Sequence, residues 1–510
     1  MPTLISRRTF IGQASCAAVG SLGLLSTLLN LRMANAATAQ SLTQVDDYRA
    51  LVCLYFGGGM DSYNLLMPGS GAAHATYAAT RGGIYDAKTN PEGLALSQAS
   101  IRALTAHATD QFGFGVHPRC GDHGGAPGIQ SLYGQGRLAF VSNVGTLVER
   151  ITKTQFNSST GKLPRGLYSH ADQTQQWHTS VVTESTGIGW AGLAADLLHS
   201  GNLDSRVSMN TSLSGNNIWQ TGQNIFAYSI GATGSILPSE YNTVTATPAV
   251  GLNNRVAIRT AAVDNLLQQE HQNLLDRTFT QNLRQSIDAS AAFKDAFDGS
   301  AITTLFPGDV GYVPPATYTS PSSTSTGNDP AVNLGQQFKA AVRTMKIRAQ
   351  LGLRRQTFFI NYGGWDHHDE VIKTMDVMVD VVNRCLVAYW AALGELGLQS
   401  KATLYTASDF GRSLTSNGAG SDHAWGGNAF VLGGAVNGGR VYGSYPELAL
   451  NGNRVVTTRG VTVPEVSVDE YFAELALWLG VPPGSLPDVL PNIRQFYTPS
   501  AVGPLGIMKA

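Results

Sequence analysis

Ala50-Leu51-Val52-Cys53-Leu54-Tyr55-Phe56-Gly57-Gly58-Gly59-Met60-Asp61 begins with an unbroken apolar run and stops on three glycines. A strand with one wet face alternates apolar and polar residues. A continuous run closed by a sharp turn instead predicts a strand buried on both faces, as in a parallel sheet covered by helices. Asp61 then lies just past its carboxyl end. Leu138 to Asn143, Thr357 to Asn361 and Thr403 to Ala407 repeat the design. The strand at Thr357 runs into Tyr362-Gly363-Gly364-Trp365-Asp366, and the strand at Thr403 into Ser408-Asp409. Between them, from Asp369 to about Leu396, Val371, Met375, Met378, Val382, Leu386, Tyr389 and Leu393 recur at three- and four-residue steps and predict one long amphipathic helix. A right-handed crossover through that helix places the ends before Asp366 and after Ala407 on one edge of a parallel pair. The expected fold is α/β, a doubly wound and mostly parallel sheet with helices on both faces. Ligands of such sheets bind just outside the strand carboxyl ends.

The 510 residues are 43% hydrophobic, 14% charged and include 57 glycines, which suits a large core joined by tight turns. Nothing in the charge balance favours nucleic acid. From about Gly201 to Pro330 the chain turns polar, with a helical stretch near Ala261 to Phe297 and a low-complexity segment from Pro314 to Gly327. That region reads as an insertion, either a cap over the site or a surface elaboration.

Ser6-Arg7-Arg8-Thr9-Phe10-Ile11, a weakly apolar stretch to about Leu31 and Ala34-Asn35-Ala36 form a twin-arginine signal with a small-residue cleavage site. Removing residues 1–36 takes away three arginines and moves the net charge from -1 to -4. The expectation is export in the folded state through the twin-arginine translocon to the periplasm, cell surface or medium, with residues 37–510 as one domain. No later segment reads as apolar enough for a stable membrane span. Cys53 and Cys385 lie in apolar patterns and read as buried hydrophobes rather than a disulfide framework.

Three short constellations carry chemistry. Gly363-Gly364-Trp365-Asp366-His367-His368 sets a carboxylate and imidazoles at a strand end, the oxygen and nitrogen donors that divalent ions take. Asp366 with His368 is the preferred ligand pair and His367 the substitute. Ser408-Asp409-Phe410-Gly411-Arg412 offers a metal-binding carboxylate beside a guanidinium fork that suits tetrahedral oxyanions. The bland alternative is an Asp–Arg salt bridge. Ser421-Asp422-His423 adds His423, with Asp422 in reserve. Upstream, Asp61 is either a ligand or a turn residue. In Tyr168-Ser169-His170, Ser169 is either a nucleophile at a helix start or simply its cap.

The leader, Tyr55 to Asn64, Ser169-His170, Gly364 to His368, Ser408 to Arg412, Asp422-His423, Gly433 to Gly443 and Ser467 to Tyr471 together resemble the exported bacterial family called domain of unknown function 1501. That resemblance spans nearly the whole mature chain and implies the alkaline phosphatase and sulfatase superfamily fold, with metals at strand ends. By position it implies Asp61, Asp366, His368, Asp409 and His423 as ligands, Ser169 as nucleophile and Arg412 as oxyanion clamp, with His170 or Asp422 as possible replacements. Two departures stand out. Asp366 and His368 are closer together than the superfamily's Asp and His, and Phe410 stands where it has a histidine, which puts a second ion in doubt.

The expected function is an exported metal-dependent hydrolase of phosphate or sulfate esters, small or polymeric. The expected cofactor is one or two divalent ions, zinc first, with calcium, magnesium or manganese as alternatives. The rival is a non-catalytic envelope or matrix protein retaining the fold. A glycan-binding protein stacking sugars on Trp365 and Trp425 is a third reading.

Overall fold

The apolar run at residue 50 forms β1 (Arg49–Phe56), buried along all but its first residue. It pairs in parallel with β6 (Arg355–Asn361) on one side and β7 (Ala402–Ser408) on the other, with Tyr55 level with both Asn361 and Ala407. The chain is described here by a computed structural model over residues 47–509, apart from 106, 109, 111, 204–206, 236–240, 242–251, 270–273 and 315–328. The leader and all but Pro314 of the low-complexity segment lie outside the described residues.

The other central strands are β2 (Leu138–Gly145), β3 (Asn210–Ser212), β4 (Tyr228–Gly231), β5 (Gly234–Ser235), β8 (Gly427–Gly433), β9 (Val441–Tyr442) and β10 (Val466–Ser467). Their order is β9-β2-β8-β7-β1-β6-β3-β4-β5, with β10 also beside β2. β8 runs antiparallel to its neighbours β7 and β2, and β5 antiparallel to β4, while the remaining pairs are parallel. The protein is thus a mixed α/β fold on a large, mostly parallel sheet. One expectation needs correcting. β6 and β7 are parallel but not adjacent, because β1 lies between them. The crossover rule fixes handedness, not adjacency, and the most apolar strand takes the centre, where both faces are covered.

After a ten-residue helix at Gly71–Thr80, the further helices of nine or more residues are, in chain order, α1 (His170–Thr179), α2 (Trp190–Leu198), α3 (Leu252–Gln268), α4 (Leu274–Asp298), α5 (Ala331–Lys346), α6 (Val371–Glu395) and α7 (Val468–Leu479). The predicted stripe of α6 is buried, and α6 packs on α5. Asp369 does not cap it. Glu370 takes the N-cap position in the left-handed region and makes no side-chain cap bond. By length and composition α6 could cross a membrane, contrary to the expectation that no segment after the leader would. Its apolarity is accounted for by enclosure, since most of the helix is buried within the fold. The region from 201 to 330 begins within the central sheet. β3 pairs with β6, and α4 packs on the far strand β5. Cys53 and Cys385 are buried free thiols, as expected of small hydrophobes, and Cys120 is a third.

His117 and His178 are sealed in this core. Burial pushes His117 and His178 from the ordinary 6.5 down to about 4. The Arg119 backbone N–H donates to His117 Nδ1 at 3.2 Å, and the His178 ring packs edge-on to Tyr55 at 4.8 Å. The unfolded chain binds the extra protons between these values. Both contributions are therefore complete above pH 6.5 and are lost as pH falls towards 4, on the order of 3 kcal/mol each at most. Urea unfolding of His178→Phe across that range should show a shallower loss of stability than the parent. An equal slope would contradict the assignment.

Candidate metal centre

Four chain segments meet at the carboxyl ends of β1, β6 and β7. The β1 turn is possible only with glycine. Gly58 and Gly59 have φ of 119° and 81°, and a Cβ on Gly58 would sit 2.6 Å from the Asp366 nitrogen. Arg412 fastens the loops after β6 and before β8 to it. Its Nε donates to Gly59 O at 2.8 Å and Nη1 to Ser421 O at 3.0 Å. Nη2 donates to Gly58 O at 3.4 Å, to Trp365 O at 3.2 Å and to Asp366 Oδ1. The guanidinium is fully buried. Arg412 is therefore a brace for Asp366 and three loops, not the free oxyanion clamp expected, because backbone carbonyls consume its fork.

Asp366 sits at the centre. Its Oδ1 lies 3.1 Å from His423 Nε2 and 3.2 Å from His368 Nε2, and its Oδ2 lies 3.4 Å from His170 Nε2. Burial pushes this carboxyl up, but the Arg412 charge and hydrogen bond outweigh it and leave it below the usual range. His170 begins α1 and points Nδ1 at Asp409 Oδ2, 2.6 Å away. His423 directs Nδ1 at the Tyr168 carbonyl, 2.9 Å away. Neither partner can donate, so each Nδ1 carries a proton, an assignment made from the partners, and each Nε2 faces Asp366. A cation placed among them could take both Nε2 atoms and the carboxylate as ligands. The ligand atoms of His170, Asp366 and His423 all lie within 4.8 Å of one another, and His368 Nε2 is 3.0 Å from His423 Nε2. These donors suit zinc or another borderline divalent ion. The side chains of Asp366 and His368 are 43% and 47% exposed, leaving a face open to an incoming molecule.

The expected ligands divide. Asp366, His368 and His423 come together, and His170, expected only as a replacement, joins them. Asp409 stands one step back. Its Oδ1 accepts from the Tyr55 hydroxyl at 2.7 Å, Gly58 N contacts both oxygens at 3.2 Å, and Oδ2 holds His170. It orients an imidazole rather than facing the open side. Asp422 contacts His368 Nδ1 at 3.5 Å and pairs with Arg459. His367, the substitute ligand, is buried against Trp365 at 5.9 Å, and burial followed by the Arg412 charge pushes it down to about 4. Asp61 is turned inward. It forms a fully buried ion pair with Arg81 and accepts from Asn64 Nδ2 at 3.0 Å, since the short helical turn Ser62–Asn64 leads the chain away from the cluster. Trp365 and Trp425, proposed as sugar platforms, are both buried and unavailable for stacking.

Ser169 is the N-cap of α1, its Oγ accepting from Asp172 N at 3.4 Å. The residue before it was missed in the sequence. Tyr168 has φ 73°, a strained value for a tyrosine that here accompanies a carbonyl aimed at His423. The Phe410 ring lies 4.8 Å from that of His170 and 4.5 Å from that of His423, covering one side of the cluster. No curated protein sequence matches the chain significantly. The family model described as a protein of unknown function, DUF1501, matches residues 48–465, and the chain belongs to that family.

Proposed function

We propose that the protein is an exported metal-dependent hydrolase of phosphate or sulfate esters, built on an alkaline-phosphatase-like sheet and carried out of the cytoplasm by the twin-arginine route. The observation that carries this reading is the convergence of His170 Nε2, His423 Nε2 and the Asp366 carboxylate on one open face at the strand ends. His170, His423, Asp366 and His368 would hold the ion, zinc in the first instance. A divalent ion there would supply Lewis-acid polarisation of an ester oxygen. Asp409 keeps the proton on His170 Nδ1, the Tyr168 carbonyl does the same for His423, and Arg412 holds the Asp366 carboxylate in place.

Ser169 adjoins His170 at the start of α1, where first-turn N–H groups lack helical partners and favour anionic oxygens. In this reading its Oγ passes its proton to a water and bonds to phosphorus or sulfur, while the ester oxygen leaves with the bonding pair and takes a proton from that water. A second water then frees phosphate or sulfate and restores the hydroxyl.

Ser169→Asn preserves the cap and removes the nucleophile, so turnover of aryl esters should fall about a thousandfold or more while stability changes by less than about 1 kcal/mol. Retention of most of the turnover would eliminate the serine mechanism. The saturated Asp409 and the committed Arg412 fork favour a second reading, a non-catalytic envelope protein in which one ion stabilises the loops. That reading predicts bound metal without turnover in the parent protein.

A further inference from the structure

Building on the metal-centre reading, we propose that the site selects singly charged esters, namely sulfate monoesters and phosphate diesters, over doubly charged phosphate monoesters. Three carboxylates, Asp366, Asp409 and Asp422, gather here against two guanidinium groups, Arg412 and Arg459. One negative charge is left over, and a single divalent ion converts it to one positive charge. Asp369, exposed beside His368, is screened by solvent and adds little to this charge.

Among the described residues, no arginine at the site is free to raise this charge. Arg412 is buried, with its donors on Gly58, Gly59, Trp365, Ser421 and Asp366. Arg459 is paired with Asp422, and Arg165 with Asp172 at 2.8 Å. A second ion would add two charges, but the carboxylate best placed for it is engaged. Both Asp409 oxygens already accept from Tyr55, Gly58 and His170, and the Phe410 ring covers the adjoining imidazoles. A monoanion matches a site of this charge. A dianion carries one charge that nothing there compensates, and it must shed part of its hydration to bind.

The test is calorimetric titration of the zinc-loaded protein with non-hydrolysable analogues. Benzenesulfonate and methyl phenylphosphonate are monoanions, and phenylphosphonate is a dianion at mildly alkaline pH. Both monoanions should bind about tenfold more tightly than the dianion, with aryl sulfate and diaryl phosphate leading aryl phosphate in kcat/KM by a similar factor. Asp422→Asn raises the site by one charge and should shrink or reverse the preference. A dianion that binds the zinc-loaded protein as tightly as the monoanions overturns the proposal, and so does the binding of none of the three. Failure to take up zinc at all is a separate result that removes the metal centre itself.

Discussion

Replacing Asp366 by alanine is expected, on the proposed reading, to release the bound ion and take ester hydrolysis to background while the protein still folds. Asp366 is the one carboxylate in contact with all three imidazoles. Without it, a carboxylate and two to three nitrogens become nitrogens alone, and ion affinity should fall at least about a hundredfold. The fold survives because Arg412 keeps its four backbone acceptors. The structural cost is one charge-assisted hydrogen bond, about 1–3 kcal/mol. Retained turnover in a folded Asp366→Ala protein would place the chemistry elsewhere.

Arg412→Ala should instead damage the fold first. The guanidinium is fully buried and joins the β1 turn, the loop after β6 and the loop before β8. Removing it strands four carbonyls and an ionised carboxylate around a cavity the size of an arginine side chain, a loss of about 3–5 kcal/mol by urea unfolding. Arg412→Lys should recover only part, since three donors on a flexible stem cannot serve five acceptors held in a fork. A loss under about 1 kcal/mol for the alanine variant would contradict the bracing role.

These two outcomes separate what the sequence disclosed from what it did not. The burial of β1 and the stripe of α6 were legible because apolar periodicity is a local signal, and the strand bounds agree with the structure to within about two residues. The placement of Asp366, His368 and His423 at strand ends followed from the same pattern. Whether an individual side chain faces the site was not legible. His170 acquires its place from Asp409, a contact across 239 residues, and nothing near position 170 announces it beyond a serine and a histidine at a helix start. Asp61 and Arg412 illustrate the converse error. A carboxylate after a strand and an arginine beside an aspartate look like site residues, but Arg81 in one case and four backbone carbonyls in the other claim their polar groups. The position of β1 between β6 and β7 is likewise a property of the whole sheet, decided by which strand must be covered on both faces.

The measurement that bears most directly on this account is elemental mass spectrometry of the folded protein. One divalent ion per chain, lost on Asp366→Ala, is the predicted result. No tightly bound ion would contradict the metal centre, and two ions per chain would contradict the assignment of Asp409 and Phe410 to a single-ion site.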